Sequence, residues 1–145
     1  MLRAIIGFIL LASFITAVAT ASASAGTQVT WRTTALGNTI TTSSGRTLYL
    51  FRGDSGPTSA CYGQCATFWP PLLTTGKPRA AGRVKASLLG TTKRKGGKLQ
   101  VTYKGHPLYT FADDKKPGQT TGEGSKAFGA SWYALAPSGS TIDKD

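Results

Sequence analysis

Short apolar runs alternate with polar, glycine-rich stretches along this chain, and no long helical pattern appears. Leu48 to Phe51 is a continuous apolar run, which is typical of a strand buried on both faces. Threonine-rich segments at 28–33 and 38–42 predict two further strands before it. At 59–69 the apolar residues share one stripe of a helix, and the two prolines that follow predict where that helix ends.

The second half of the chain has the clearest strand pattern. Segments 88–93, 99–103 and 107–111 are joined by glycine-containing turns and predict a three-stranded meander. In the middle segment, apolar residues alternate with Gln100 and Thr102, so we expect one face of this strand to lie in water. A final strand is predicted after a long polar loop, at residues that end with Ala136.

A ten-residue motif occurs twice, 60 residues apart. The segment that starts at Gly45 reads GRTLYLFRGD and the one that starts at Gly105 reads GHPLYTFADD. A Trp follows each copy, so a duplicated unit is the best description of the architecture. The repeated residues are Tyr49, Phe51, Asp54 and Trp69 in the first copy, and Tyr109, Phe111, Asp114 and Trp132 in the second.

We interpret the repeated aromatic residues as core. Rings at matching positions in two repeats would pack against each other across a pseudo-twofold interface. This predicts an all-β protein, a small barrel or sandwich of two sequence repeats with the one short helix. An exposed aromatic face for sugars or stacked bases is the alternative. Asp54 and Asp114 follow a strand, where carboxylates accept backbone N–H bonds; calcium, the rival use, needs several oxygens close together.

Three segments resemble a family of bacterial secreted repeats, often labelled predicted lipoproteins, whose signature is Y-x-(F/W/Y)-x-x-D. Both copies carry this signature, and CYGQCATFWPPL from Cys61 and QVTYKGHPLY from Gln100 are similar to the first and second repeats of the family. The resemblance covers residues 45–137. It implies export and a non-catalytic repeat fold of unknown activity, and it offers no catalytic residues to transfer.

The N-terminal 25 residues have the layout of a secretory signal peptide. Arg3 is followed by an apolar run and then by small residues, with cleavage expected after Ala23 or Ala25. A retained anchor is the alternative, but the run is short for a span of about 20 residues. Because the small-residue region holds no Cys for lipid attachment, we expect a secreted, periplasmic or cell-envelope protein that is not lipid-anchored and has no transmembrane segment after cleavage.

Length then predicts the domain organisation. Residues 26–137 form one β domain, with repeat one at about 38–73 and repeat two at about 98–137. Residues 138–145 are expected to form a flexible tail.

The chain is strongly basic, with 17 Lys and Arg against 6 Asp and Glu. Removing residues 1–25 takes away only Arg3 and lowers the net charge from +11 to +10. Such a surface favours anionic partners, which for an exported protein are an envelope polymer or a lipid surface, and we predict no specific nucleic acid. Alternatively, the charge only keeps the protein soluble. The densest cluster, Lys93 to Lys95 with Lys98, predicts a solvated hairpin tip.

Two cysteines in an exported chain predict a disulfide between Cys61 and Cys65, which are four residues apart. We interpret it as a local clamp on the turn before Trp69. The alternative is a labile redox pair, or a copper site in which both thiols converge with His106.

No catalytic set is visible, so we expect a non-enzymatic module without a cofactor. The segment Gly53 to Pro57 resembles the surroundings of a trypsin-like nucleophile, but the single His lies downstream of Ser55 and leaves no triad in that order. Structural zinc takes four Cys or His ligands, and this chain has three such residues. The hypotheses that remain are a binding or structural β module of the envelope or extracellular space, and an extracytoplasmic redox or copper-handling module that uses Cys61 and Cys65.

Overall fold

The computed structural model describes residues 13–20 and 25–143, and it confirms a mostly β protein with one very short helix. The helix α1 is Gln64–Phe68, and single 3₁₀ turns lie at Ala86–Leu88 and Ala127–Gly129. The strands are β1 Gln28–Thr34, β2 Gly37–Thr42, β3 Tyr49–Phe51, β4 Leu73–Thr74, β5 Arg79–Ala80, β6 Leu89–Lys93, β7 Leu99–Tyr103, β8 His106–Pro107 and β9 Trp132–Ala134.

The strands form three small sheets in a sandwich-like arrangement, not a closed barrel. The first sheet has the order β2-β1-β5, and the second is the antiparallel pair β3 and β9. In the third, β7 lies between β4 and β6 and also pairs with β8. The middle pair joins the end of one repeat to the motif strand of the other, because Leu50 lies opposite Tyr133.

Each repeat completes its hydrogen bonding with the other repeat. The amide of Ile40 donates to the carbonyl of Leu135 at 2.9 Å, and the amide of Val101 donates to the carbonyl of Leu72 at 2.8 Å. In both cases the first strand region of one copy pairs with the segment after the Trp of the other. Because buried backbone groups require partners, neither repeat satisfies its own strands alone.

Two hydrophobic clusters fill the interior. One is mostly aliphatic and consists of Val29, Ile40, Leu48, Leu50, Val84, Val101, Tyr103, Leu108 and Leu135. The other consists of Tyr49, Phe51, Cys61, Cys65, Trp69, Tyr109, Trp132 and Ala134. The motif supplies both clusters, because alternate side chains of a strand point to opposite faces.

The prediction of a wet face on β7 is wrong. Gln100 is fully buried and Thr102 is 5% exposed. The Gln100 side chain donates to the carbonyl of Leu108 at 2.8 Å and accepts a hydrogen bond from Arg94 at 2.8 Å. A polar residue whose hydrogen bonds are satisfied in this way can be buried. The alternation of apolar and polar residues therefore does not indicate a solvent-facing side of this strand.

Several predicted boundaries also differ. The helix begins at Gln64, after Gly63 with a positive φ of 57°, so it covers only the end of the predicted segment 59–69. Of the predicted strand 107–111, only Pro107 belongs to a regular strand. Beyond it, Tyr109 pairs through isolated bridges.

The two ends of the chain differ in how much the structure describes. Of the flexible tail expected at 138–145, residues 138–143 turn back on β9, where the amide of Ile142 donates to the carbonyl of Ala134 at 2.9 Å, and residues 144–145 lie outside the described residues. Of the predicted signal peptide, residues 1–12 and 21–24 lie outside the described residues, and 13–20 are exposed without secondary structure. In the part of the chain that is described, no helix has the length and apolar character needed to span a bilayer.

Candidate functional site

Four aromatic rings from the two repeats form a continuous stack. The rings of Trp69 and Trp132 lie parallel, with centroids 3.9 Å apart. Phe111 stacks on the outer face of Trp69 at 4.2 Å, and Phe51 stacks on the outer face of Trp132 at 4.2 Å. Each Trp therefore lies between the Trp and the Phe of the other repeat, as a pseudo-twofold axis requires.

The two motif tyrosines lie against the stack and pair with each other through the backbone. Tyr49 meets the ring of Trp69 edge-on at 5.4 Å, and Tyr109 meets the ring of Trp132 at 5.2 Å. The amide of each tyrosine donates to the carbonyl of the other, at 2.8 and 3.0 Å. Both side chains are fully buried. The structure thus brings both Tyr, Phe and Trp sets into one interior.

Each phenol donates to the aspartate of the opposite repeat. The hydroxyl of Tyr49 lies 2.6 Å from Asp114 Oδ2, and the hydroxyl of Tyr109 lies 2.9 Å from Asp54 Oδ2. The second carboxylate oxygen accepts from the aspartate's own loop, from the Ala60 amide in one copy and from Thr121 in the other. The motif aspartate therefore fixes its loop and also connects the two repeats.

Burial sets the proton affinities of this network. It raises the pKa of Tyr49, and the hydrogen bond to the Asp114 carboxylate raises it further. Burial is also the main reason that the pKa of Tyr109 is raised. The pKa of Asp54 is raised by burial as well, although the bonds from Ala60 and Tyr109 oppose this shift. Both phenols are consequently held in the neutral, hydrogen-bond-donating form.

The prediction of a solvated hairpin tip is wrong for Arg94. It is 8% exposed, whereas its neighbours Lys93 and Lys95 are exposed. Its guanidinium donates to Ser59 Oγ at 2.8 Å, to Gln100 Oε1 at 2.8 Å and to the carbonyl of Cys61 at 2.6 Å. Since Ser59 also lies 2.7 Å from the Tyr109 hydroxyl, this cation connects the tip to the motif network.

No pattern in the sequence indicated the partners of Arg94. They come from two separate segments, at 59–61 and at Gln100, and a basic residue in a cluster of lysines is most often solvated. A signal that could have been used is the adjacent Gly96 and Gly97, both with positive φ, which shape a tight turn there. Such a turn can direct one side chain of the cluster inward.

Cys61 and Cys65 form the predicted disulfide, with Cα atoms 5.2 Å apart. Both residues are buried, and the Cys61 amide donates to Ser59 Oγ at 3.2 Å. Between them, Tyr62 lies under the Arg94 guanidinium at 4.2 Å and accepts a hydrogen bond from the Lys95 amide. The disulfide segment therefore supports the hairpin tip.

His106 does not complete a metal site with the cysteines. Over residues 13–20 and 25–143, no group of three or more His, Cys, Asp or Glu side chains is placed to hold a metal ion. Burial, and then the charges of Arg52 and Lys104, lower the pKa of His106, which lies at the start of β8. The three-ligand copper arrangement is thus not formed in this structure.

Two open grooves adjoin the hairpin tip. The larger has a volume of about 550 Å³ and is lined by Thr27, Leu73, Thr74, Thr75, Gly97, Lys98 and Leu99. The second, of about 340 Å³, shares Leu99 with it and includes Lys77 and Thr91. Each of the two grooves therefore has one lysine in its lining, Lys98 in the larger and Lys77 in the second.

A third open depression, which we call the aromatic notch, lies beside the ring stack. It has a volume of about 270 Å³ and is lined by Phe68, Trp69, Phe111, Ser125, Ala127 and Phe128. Phe68 at the end of α1 and Phe128 in the second 3₁₀ turn have ring centroids 6.1 Å apart, so each repeat contributes one ring. Phe128 has φ of 62° and ψ of 29°, a left-handed conformation that is uncommon for a bulky residue.

The fold and the site define an all-β protein of two repeats around a shared aromatic interior. A family model described as a secreted repeat of unknown function matches residues 30–73 and 90–136. Because these segments cover more than half of the chain, the protein belongs to this family of secreted repeats. Both matched segments begin before the repeat boundaries expected at 38 and 98. No curated protein matches the chain, and no solved structure does so either.

The crossed tyrosine–aspartate bonds predict a specific pattern of energetic coupling. In a double-mutant cycle, Tyr49→Phe and Asp114→Asn should couple by about 0.5–3 kcal/mol, because they share one buried hydrogen bond. Tyr49→Phe and Asp54→Asn, within one repeat, should add to within about 0.5 kcal/mol. Urea unfolding of the single and double variants measures both values. Stronger coupling within the repeat than across it would contradict the crossed arrangement.

The buried phenols also predict lower stability in alkali. The pKa of Tyr49 and Tyr109 is raised above the ordinary value of about 10, so the unfolded chain releases these protons at a lower pH than the folded protein. Their contribution is fully present below about pH 10 and is lost as the pH rises through the folded pKa. We expect the free energy of unfolding to fall above about pH 10. It should fall less in Tyr49→Phe, because this variant lacks one of the two phenols. Reversible ionisation of both phenols near pH 10, without unfolding, would be the opposite result.

Proposed function

We propose that the protein is a non-enzymatic β module, exported to the cell envelope or beyond, that binds a phosphate-bearing anionic component of the envelope. Membership in a family of secreted repeats supports the location. In this proposal the protein is secreted, periplasmic or in the cell envelope and is not lipid-anchored, because residues 19–25 contain no Cys for a lipid. The phosphate can belong to a wall polymer or to a lipid headgroup.

The hairpin tip carries the proposal. Lys93, Lys95 and Lys98 are exposed at a turn that Arg94 and the disulfide segment hold in place. Lys98 also lines the larger groove, next to threonine hydroxyls. Several cations on a turn whose backbone is held in place suit a polymer of repeating phosphates, because the backbone of the site need not be ordered at the moment of binding.

The use of the motif carboxylates supports a role without catalysis. Asp114 is 1% exposed, and its oxygens accept from Tyr49 and Thr121. Asp54 is similarly engaged by Tyr109 and Ala60. A general base must reach a substrate proton, and these two carboxylates are instead occupied by the fold.

The proposal predicts salt-sensitive binding that depends on the tip. The triple variant Lys93→Gln, Lys95→Gln, Lys98→Gln should weaken binding to poly(glycerol phosphate) or to anionic vesicles roughly 100-fold, from about 1 kcal/mol per lysine near an anionic surface. The measurement is a binding isotherm at low and at physiological salt.

The matched control changes three other exposed cations, Arg52→Gln, Lys85→Gln and Lys104→Gln, and therefore alters the net charge equally. It should cost only a few-fold in affinity. Equal losses of affinity in the two variants would show that net charge alone accounts for the binding. If neither the polymer nor the vesicles bound in a salt-sensitive way, no anionic partner would remain in the proposal.

The alternative function is an extracytoplasmic redox or copper-handling module that uses Cys61 and Cys65. The disulfide itself is the observation that favours it. Reactive cysteines are partly exposed, however, whereas Cys61 is fully buried and Cys65 is 6% exposed.

We therefore expect the disulfide to resist reduction, with a potential below about −300 mV, as structural disulfides of secreted proteins have. Equilibration with thiol redox buffers, followed by alkylation of free thiols, measures this value. A potential well above it would favour the redox module. Tight copper(I) binding by the reduced protein, lost in Cys65→Ser, would favour the copper version.

A further inference from the structure

The aromatic notch collects most of the exposed apolar side chains of the described β region. From residue 25 to residue 143, three large hydrophobic residues are exposed: Phe68 at 42%, Leu73 at 36% and Phe128 at 44%. Two of the three face each other in the notch, with Trp69 and Phe111 in its lining. Single exposed apolar residues need no explanation, but a paired set at the joint of two repeats does.

The backbone holds one of these rings outward at a cost. Phe128 is left-handed, and Gly129 after it also has positive φ, at 87°. A bulky residue is disfavoured in this conformation, and an exposed phenyl ring gains little from burial in return. Local conformation and solvation therefore both oppose Phe128, which is typical of a position kept for function and not for stability.

The lining of the notch indicates what would cover it. Besides the indole N–H of Trp69, Ser125 supplies the single polar side-chain group among the lining residues, so the notch has little with which to orient a sugar or a polar small molecule. The notch is open, which suits two rings that insert into an apolar phase better than a ligand that is enclosed.

Cations flank the two rings. Lys126 is exposed two residues before Phe128. The carbonyl of Phe68 accepts a hydrogen bond from the Ala112 amide at 2.8 Å, so the stretch that continues to Lys115 and Lys116 leaves from beside this ring. Asp113 is the exposed acid of that stretch. Apolar rings with adjacent lysines are the composition of interfacial membrane anchors, in which the rings enter the acyl boundary and the cations meet anionic headgroups.

We propose that the aromatic notch is a membrane-contact surface, in which Phe68 and Phe128 insert into the interface of an anionic phospholipid bilayer. The inference rests on the proposed function, because it takes the lipid surface as the anionic component. It assigns the apolar part of that contact to residues distinct from the hairpin tip. The protein would then hold to the bilayer by two signals, a charged tip and an aromatic pair.

The test compares binding to vesicles that contain phosphatidylglycerol with binding to poly(glycerol phosphate), which has the phosphates but no acyl chains. Phe68→Ser combined with Phe128→Asn should weaken vesicle binding roughly 100-fold, at about tenfold for each ring, and leave polymer binding unchanged. Asn is favoured in the left-handed region, so Phe128→Asn should fold at least as stably as the wild type. Phe128→Trp should keep vesicle binding.

Phe68→Trp is the matched control, because it changes the same position but keeps a large apolar ring in the notch. It should bind vesicles as the wild type does. Vesicle binding that survives the loss of both phenylalanines would overturn the inference while leaving a purely electrostatic envelope role intact. A concentration-dependent dimer that Phe128→Asn abolishes would instead give the notch to a second copy of the chain, and would also overturn it.

Discussion

The structure depends on the reciprocal pairing of Tyr49 and Tyr109 at the joint between the two repeats. Their amides and carbonyls bond to each other at this point, and their rings lie edge-on to the two stacked tryptophans. A buried backbone group without a partner costs about 1–3 kcal/mol, so separating the repeats would leave both tyrosines unsatisfied. The crossed bonds to the aspartates add two further contacts that exist only when both repeats are present.

The same motif serves different surroundings in the two copies. Asp114 is 1% exposed in a loop without a disulfide, whereas the loop of Asp54 continues into Ser59 and the cystine. The positive charge of Arg94 acts to lower the pKa of Asp54, although burial has the larger effect and raises it. The Arg94 guanidinium also donates a hydrogen bond to the Cys61 carbonyl. A symmetric interior thus supports an asymmetric surface, with the basic tip on one loop system and Phe128 on the other. Both functional proposals therefore rest on surface features that differ between the two copies.

Sequence reasoning was strongest where the motif itself carries the information. Equal offsets of Tyr49 and Tyr109 pointed to equivalent places in a common interior, and the all-β class and the disulfide were confirmed. The exchange of aspartates between repeats could not be read from the chain, because spacing gives equivalence but not which copy a side chain reaches. Gln100 and Arg94 were misread for a related reason. Each is polar, and each is buried because hydrogen-bond partners in neighbouring segments of the fold satisfy it.

The most direct test of a shared interior is native-state hydrogen exchange at the two tyrosine amides. Each amide is bonded to the other repeat, so both should open with the same free energy, equal to that of global unfolding. If one repeat can open while the other stays folded, the two values will separate by more than about 1 kcal/mol and the lower one will fall short of the global value. Equal values would support a single cooperative interior, and separated values would contradict it.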